Sequence, residues 1–221
     1  MTFEQAMARL ESLGSDKVKK LNIRNGAGGD QFGVKLGDIR NLAKEIKSDH
    51  TLALQLWDSG NLDARLLGLL VMTPKQISAE QLDEMVKDAG NDQTADWLMT
   101  NIVKNHPAAE GFREQWMADP NPYARRAGWS LTTRGVAKLT DPGALTALLD
   151  RIEREAPTAP APAQWTMNYC LAEIGITSPE HRDRAIALGE QLGMFRDYPV
   201  SKGCVSPYAP IWIAEMVRRK S

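Results

Sequence analysis

The chain has little cysteine, little histidine and no excess of positive charge. Its 221 residues include two cysteines and three histidines, and 27 lysines and arginines against 28 aspartates and glutamates leave a net charge of −1. Cys170 and Cys204 are too few for a disulfide framework. His50, His106 and His181 are scattered, without the cysteine or carboxylate spacing of a zinc site, and no GxSxG or Cys-His arrangement marks a nucleophile. Neither a metal nor a cofactor is therefore expected. The near-neutral charge counts against tight, non-specific binding of nucleic acid, because phosphate neutralisation supplies most of that affinity, but it leaves room for a local basic face. There is no apolar run of about 18 residues to span a membrane. The start, Met1-Thr2-Phe3-Glu4-Gln5-Ala6, lacks the basic opening and apolar stretch of a secretory signal, so a cytoplasmic location is expected. No convincing alternation of apolar and polar residues predicts a strand.

What the chain does have is helical periodicity and an internal echo. Hydrophobic residues make up 43% of it, which excludes a disordered chain. Asn61-Leu62-Asp63-Ala64-Arg65-Leu66-Leu67-Gly68 returns as Asn121-Pro122-Tyr123-Ala124-Arg125-Arg126-Ala127-Gly128, each copy preceded by a tryptophan-bearing segment ending at Trp57 or Trp116. Asparagine suits a helix start, Pro122 the first helical position, and alanine and glycine four apart leave a flat face for close packing. Spacings of three and four mark an amphipathic helix at Phe3, Ala6, Met7 and Leu10 and another at Leu36, Ile39, Leu42, Ala43 and Ile46. The same signals predict helices at Thr51–Ser59, Asn61–Met72, Ala79–Ala89, Asp92–Asn105, Pro107–Ala118, Pro122–Arg134, Asp141–Glu155, Ala163–Ile176, Pro179–Leu192 and Pro207–Arg219. Short connections between them imply antiparallel neighbours, with roughly 30 residues to a pair, slightly less than a HEAT unit. The expected fold is all-α: a solenoid of antiparallel helix pairs, forming a single curved domain over residues 1–221. The helix at Asn61–Met72 is apolar on nearly all sides and is expected to lie centrally. Ala156–Pro162 reads as an extended surface spacer.

Several residues could carry chemistry. Lys17, Lys20 and Arg24 share a helix face ahead of Asn25-Gly26-Ala27-Gly28-Gly29, a pattern that suits a phosphate backbone and equally a solvated helix followed by a loop. Asp96 falls at the edge of the stripe formed by Ala95, Leu98, Met99 and Ile102, where a carboxylate is partly desolvated and open to a cationic partner or a structural arginine. Asp92 beside Asn91 is explained by helix capping. Six tryptophans stand out against four tyrosines and four phenylalanines. Trp57 and Trp116 are expected in the core. Trp97, Trp129, Trp165 and Tyr169 are candidates to hold a cationic group or stack on bases, with Trp165 and Tyr169 on one helix face. The second echo replaces Leu66 and Leu69 by Arg126 and Trp129, and together with Arg125 this makes it the copy where ligand contact is expected.

Phe32 to Ile46, then Leu56-Trp57-Asp58 and the Ala64-Arg65 helix, then Asp96, Asn105-His106-Pro107 and Ala124-Arg125-Arg126-Ala127 resemble, in that order, the AlkD-like bacterial DNA alkylation repair proteins. The likeness covers roughly Phe32 to Gly175 and leaves residues 195–221 outside. It implies a HEAT-like solenoid whose concave face cradles duplex DNA, and hydrolysis of the N-glycosidic bond of cationic N3- or N7-alkylpurines without extruding the base into a pocket. It further implies that Asp96 is the catalytic aspartate, stabilising the developing oxocarbenium and positioning water, and that Arg126 contacts DNA. Tyr169 falls where the family carries a tryptophan, and Asp92 where it carries the other. The competing reading is a non-catalytic helical-repeat scaffold that binds a protein or a structured nucleic acid. A third has Lys202 as an amine nucleophile.

Overall fold

The computed structural model describes residues 1–220 and shows, among them, thirteen α-helices and no strand. They are α1 (Phe3–Ser12), α2 (Asp16–Arg24), α3 (Leu36–Ile46), α4 (His50–Asp58), α5 (Leu62–Val71), α6 (Ala79–Lys87), α7 (Asp92–Asn101), α8 (Ala109–Ala118), α9 (Pro122–Val136), α10 (Pro142–Glu155), α11 (Ala161–Thr177), α12 (Arg182–Leu192) and α13 (Ala209–Lys220). None of the described helices is long and apolar enough to cross a membrane. The chain divides into two compact units, Met1–Gly111 and Phe112–Ser221, with the division inside α8.

Local chemistry sets the helix starts. Thr2 with Gln5 and Ser78 with Gln81 form capping boxes on α1 and α6, each pair satisfying two amides that the first turn leaves without a helical partner. Asn61 caps α5 through the amides of Asp63 and Ala64, and Asn121 caps α9 through those of Tyr123 and Ala124. Their backbone angles agree closely, φ −68° and ψ 129° against φ −66° and ψ 126°. The echo in sequence is thus an echo in geometry.

In the first unit α5 is the central helix, with α3, α4 and α7 packed on it. Its Leu62, Ala64, Leu66, Leu67, Leu69 and Val71 are all buried. Gly68 is required for the approach of α4: a Cβ there would lie 2.9 Å from the carbonyl oxygen of Ala53 and 3.3 Å from the Cβ of Leu56. Asp63 at the start of α5 is also buried, and its carboxylate accepts from the amides of Phe32 (2.7 Å), Gly33 (2.9 Å) and Val34 (3.0 Å). These bonds hold the segment between α2 and α3 across the end of α5. Asn61 adds a bond from Nδ2 to Asp30 Oδ1, and Gln31, itself buried, accepts from Asn22 and donates to the carbonyl of Gly28. Burial pushes the Asp63 carboxyl above the ordinary aspartate range, against the pull of the three amides and of the Lys19 charge.

In the second unit α9 and α11 pack along each other, and α12 and α13 close over α11. The core gathers Met117, Trp129, Leu149, Ile152, Met167, Leu171, Ile174 and Ile213. Gly128 admits the backbone of α8: a Cβ there would stand 2.4 Å from the amide nitrogen of Met117 and 2.8 Å from the carbonyl carbon of Trp116. The Pro/Ala stretch departs from the expected extended surface spacer. Ala156–Thr158 forms a 3-10 turn, Ala156 and Ala159 are buried, and α11 has already begun at Ala161. Small side chains let that turn enter the core, and Pro162 is tolerated because the first helical turn needs no amide donor there.

Candidate functional site

The arginine common to both echoes is a structural device. Arg65 donates from Nε to the carbonyl of Trp57 (3.1 Å) and from Nη1 to that of Asp88 (2.8 Å), and its guanidinium lies 4.6 Å from the Trp57 ring centre. It also pairs with the Asp88 carboxylate. Arg125 repeats the first of these bonds, from Nε to the carbonyl of Asp119 (3.1 Å). Each cation therefore sits at the C-terminal end of the preceding helix, where exposed carbonyls favour positive charge.

The second echo is not the exposed ligand surface expected of it. Trp129 is 0% exposed and belongs to the core, with the Arg151 guanidinium 5.5 Å from its ring centre. Arg126 is 4% exposed and donates from Nη1 to the carbonyl of Pro162 (3.0 Å), which ties α9 to the start of α11. Neither side chain presents a face or an edge for stacking or phosphate contact. The reason is packing: α9 has α8 against its glycine side and α11 against the other, so the positions held by Leu66 and Leu69 in the first copy remain inward in the second. Larger residues fill the same interior.

Asp96 and Trp97 lie on α7, whose buried residues are Thr94 and Leu98. Asp96 is exposed instead of occupying a desolvated edge, while Trp97 is half-buried. The guanidinium of Arg40 on α3 sits 5.0 Å from the Trp97 ring centre, so that aromatic face already carries a cation. Asn91 caps the helix through the amide of Thr94 (2.9 Å), with Asp92 in its first turn, which accounts for both as the capping pattern expects.

Lys17, Lys20 and Arg24 are all exposed on α2, a helix without a buried residue. Leu21 and Ile23, 50% and 48% exposed, lie among them. The adjoining loop turns at Gly26 with φ 89° and at Gly33 with φ 79°, and the latter lies too close to Ser15 and Lys19 to admit a side chain.

Trp165 and Tyr169 do share a face of α11, with ring centres 5.5 Å apart. They are joined by residues that sequence patterns did not single out: Phe195 and Tyr198 from the loop after α12, and Trp212 from α13. The run of aromatic residues at Phe195, Tyr198 and Tyr208 in a loop was the available signal. Cys170, on the buried side of the same helix, is fully covered, and burial pushes its thiol up to about 12. Cys204 is exposed. No three His, Cys, Asp or Glu side chains among the described residues are grouped to hold a metal ion.

An all-helical fold with duplicated, Asn-capped and glycine-packed helices defines a helical-repeat protein. A family model for DNA alkylation repair enzymes matches residues 6–213, and the chain belongs to that family. The match extends beyond Gly175 to Ile213, taking in most of the C-terminal segment. Two relatives span 99% of this chain and 99% of their own length: the uncharacterized proteins Lin0241 of Listeria innocua, 23% identical, and Lmo0209 of Listeria monocytogenes, 24% identical. A solved structure covers the whole chain with a TM-score of 0.78 and 24% identity, over 95% of its own length. It is described as a new family of proteins related to the HEAT-like repeat DNA glycosylases with affinity for branched DNA structures. The likeness establishes the fold as HEAT-like.

Proposed function

We propose that this protein is a DNA-binding member of the alkylation repair family that engages DNA whose duplex is interrupted or branched. The observation that carries the reading is the family match over residues 6–213, and the named affinity of the structural relative supplies the choice of DNA form. Lys17, Lys20 and Arg24 would meet phosphates through their exposed charges, and Trp165 and Tyr169 would offer ring faces to bases. Arg125 is assigned to holding its helix pair, since its Nε is committed to Asp119. Binding measured by fluorescence anisotropy against salt tests the reading. A DNA binder weakens steeply as salt rises, and the triple variant Lys17→Ala, Lys20→Ala, Arg24→Ala lowers that slope by about 0.9 for each phosphate it no longer neutralises. Salt-independent or absent binding would overturn it in favour of a protein-binding scaffold.

A second reading adds hydrolysis of cationic alkylpurines. It is favoured by the exposure of Asp96, which puts a carboxylate where a developing oxocarbenium could approach it. Against it stand Arg40 on the face of Trp97, Asp92 where the family carries a tryptophan, and Tyr169 where it carries another. Release of 7-methylguanine from duplex DNA, compared between the wild type and Asp96→Asn, decides it. Release by the wild type that is abolished in the variant establishes Asp96 as catalytic, whereas no release from either leaves binding as the function.

A further inference from the structure

The aromatic residues of the second unit line an open cleft of about 260 Å³ between α11, α13 and the loop that precedes α13. Trp165, Tyr169, Tyr198 and Trp212 form its walls, with Ser206 and Pro207 at one side. No charged side chain lines it, so it offers no ion pair to a phosphate or a carboxylate. Its volume lies just below the ~300 Å³ at which pockets for drug-sized molecules begin, which suits one planar ring system. Tyr169 on Trp212 (4.4 Å, 88°) and Trp165 on Phe195 (5.0 Å, 82°) meet edge to face. Trp165 also meets Tyr169 (5.5 Å, 42°) and Tyr198 (5.5 Å, 50°) at a tilt, so three neighbouring rings hold it in place. Tyr169 and Tyr198 remain 38% and 47% exposed, an arrangement that leaves aromatic area in water.

The pocket is built before any ligand arrives. Asn168, buried on α11, donates from Nδ2 to the carbonyl of Pro207 (2.8 Å), which pins the end of the loop. Arg196 pins its start by donating to the carbonyl of Glu190 (3.0 Å) and to the Tyr208 hydroxyl (3.3 Å). Between these anchors the Cys204 amide bonds to the carbonyl of Ser201 (3.0 Å), and Gly203 turns with φ 87°, carrying Lys202 exposed at the tip. Ser206 Oγ accepts from the Tyr208 amide and has its own hydroxyl proton to offer to the edge of a ring.

We propose that this pocket receives one unpaired nucleobase of a DNA strand, stacked among Trp165, Tyr169, Tyr198 and Trp212, with Lys202 near the strand's phosphates. The inference rests on the DNA-binding reading. Paired bases keep their faces within the stack, so a pocket of ring faces recognises the base that pairing has released. Base-on-aromatic stacking gives a preference of roughly five- to 150-fold per base.

Three DNAs of one sequence test this with the full chain: a paired duplex, the same duplex with a single 2-aminopurine bulge, and the same duplex with an abasic bulge. The base-bearing bulge is expected to bind about tenfold more tightly than the abasic one, with its 2-aminopurine emission quenched on binding. Tyr198→Ala should reduce that preference about tenfold and relieve the quenching, with Tyr198→Phe retaining both. An unchanged melting temperature shows that each variant is folded. Equal affinity for the base-bearing and abasic bulges, or unquenched emission in the complex, overturns the pocket while leaving DNA binding in place. Failure to bind all three overturns both.

Discussion

The two copies of the echo share a cap, a packing glycine and an arginine at the end of the previous helix, yet each serves a different local task. In α5 the residue two after the capping asparagine is Asp63, which holds the segment from Phe32 to Val34 by three amides. In α9 that position is Tyr123, while Arg126 and Trp129 replace leucines to fill the interior and tie α9 to α11. The difference teaches that divergence within a repeat pair need not mean a functional surface. A polar or aromatic residue introduced into a helix with neighbours on two sides is absorbed by the packing, and the exposed chemistry of the second unit lies instead in the loop after α12.

The strongest way to break the comparison is to remove Asp63. Asp63→Ala leaves three amides without their acceptor, two of them in buried bonds. The expected loss is about 4 kcal/mol in chemical unfolding, at the upper end for a single substitution. Tyr123→Ala, at the matching position but half-buried, should cost about 1 kcal/mol. Similar losses at both sites would mean that the Asp63 cradle contributes little.

The packing glycines sharpen the comparison on a smaller scale. An alanine at 128 places its Cβ 2.4 Å from the α8 backbone, and one at 68 reaches 2.9 Å from that of α4. Overpacking costs about 1–3 kcal/mol, offset in both helices by about 1 kcal/mol from alanine's better helix propensity. Gly128→Ala should therefore destabilise by about 2 kcal/mol and Gly68→Ala by about 1 kcal/mol. The reverse order, measured in the same denaturant series, would show that α8 yields more readily than α4.

Much of this was legible in the sequence because it is local. Period, caps and turn chemistry act within a few residues, so the helices and the duplication could be read directly, as could the core positions of Trp57 and Trp116. The burial of Arg126 and Trp129 could not, since the periodicity of one helix does not tell how many neighbours it has. The order of motifs pointed to the family, but the aromatic pocket depends on a distant loop folding back onto α11 and lay beyond local rules. Asp63 was likewise opaque: its partners stand about thirty residues earlier in the chain.

The smallest expected effect is a pH dependence that belongs to the first copy alone. Burial raises the Asp63 carboxyl above its ordinary value of 3.8, so the folded protein holds that proton more tightly than the unfolded chain does. The resulting stabilisation is fully present below the unfolded-state value and is lost as pH rises through the folded one. Each unit of displacement is worth about 1.4 kcal/mol, less than the loss of the three amide bonds. Measured as the stability of the wild type minus that of Asp63→Asn, the difference should fall as pH increases from about 3.8 and level off once the carboxyl has ionised. Subtracting the asparagine variant cancels the other carboxylates, because it leaves them in place. A difference that rises with pH would mean that the three amides outweigh burial and that Asp63 acts as an ionised anchor throughout, whereas Tyr123, lacking a carboxyl, gives the second copy no such dependence at all.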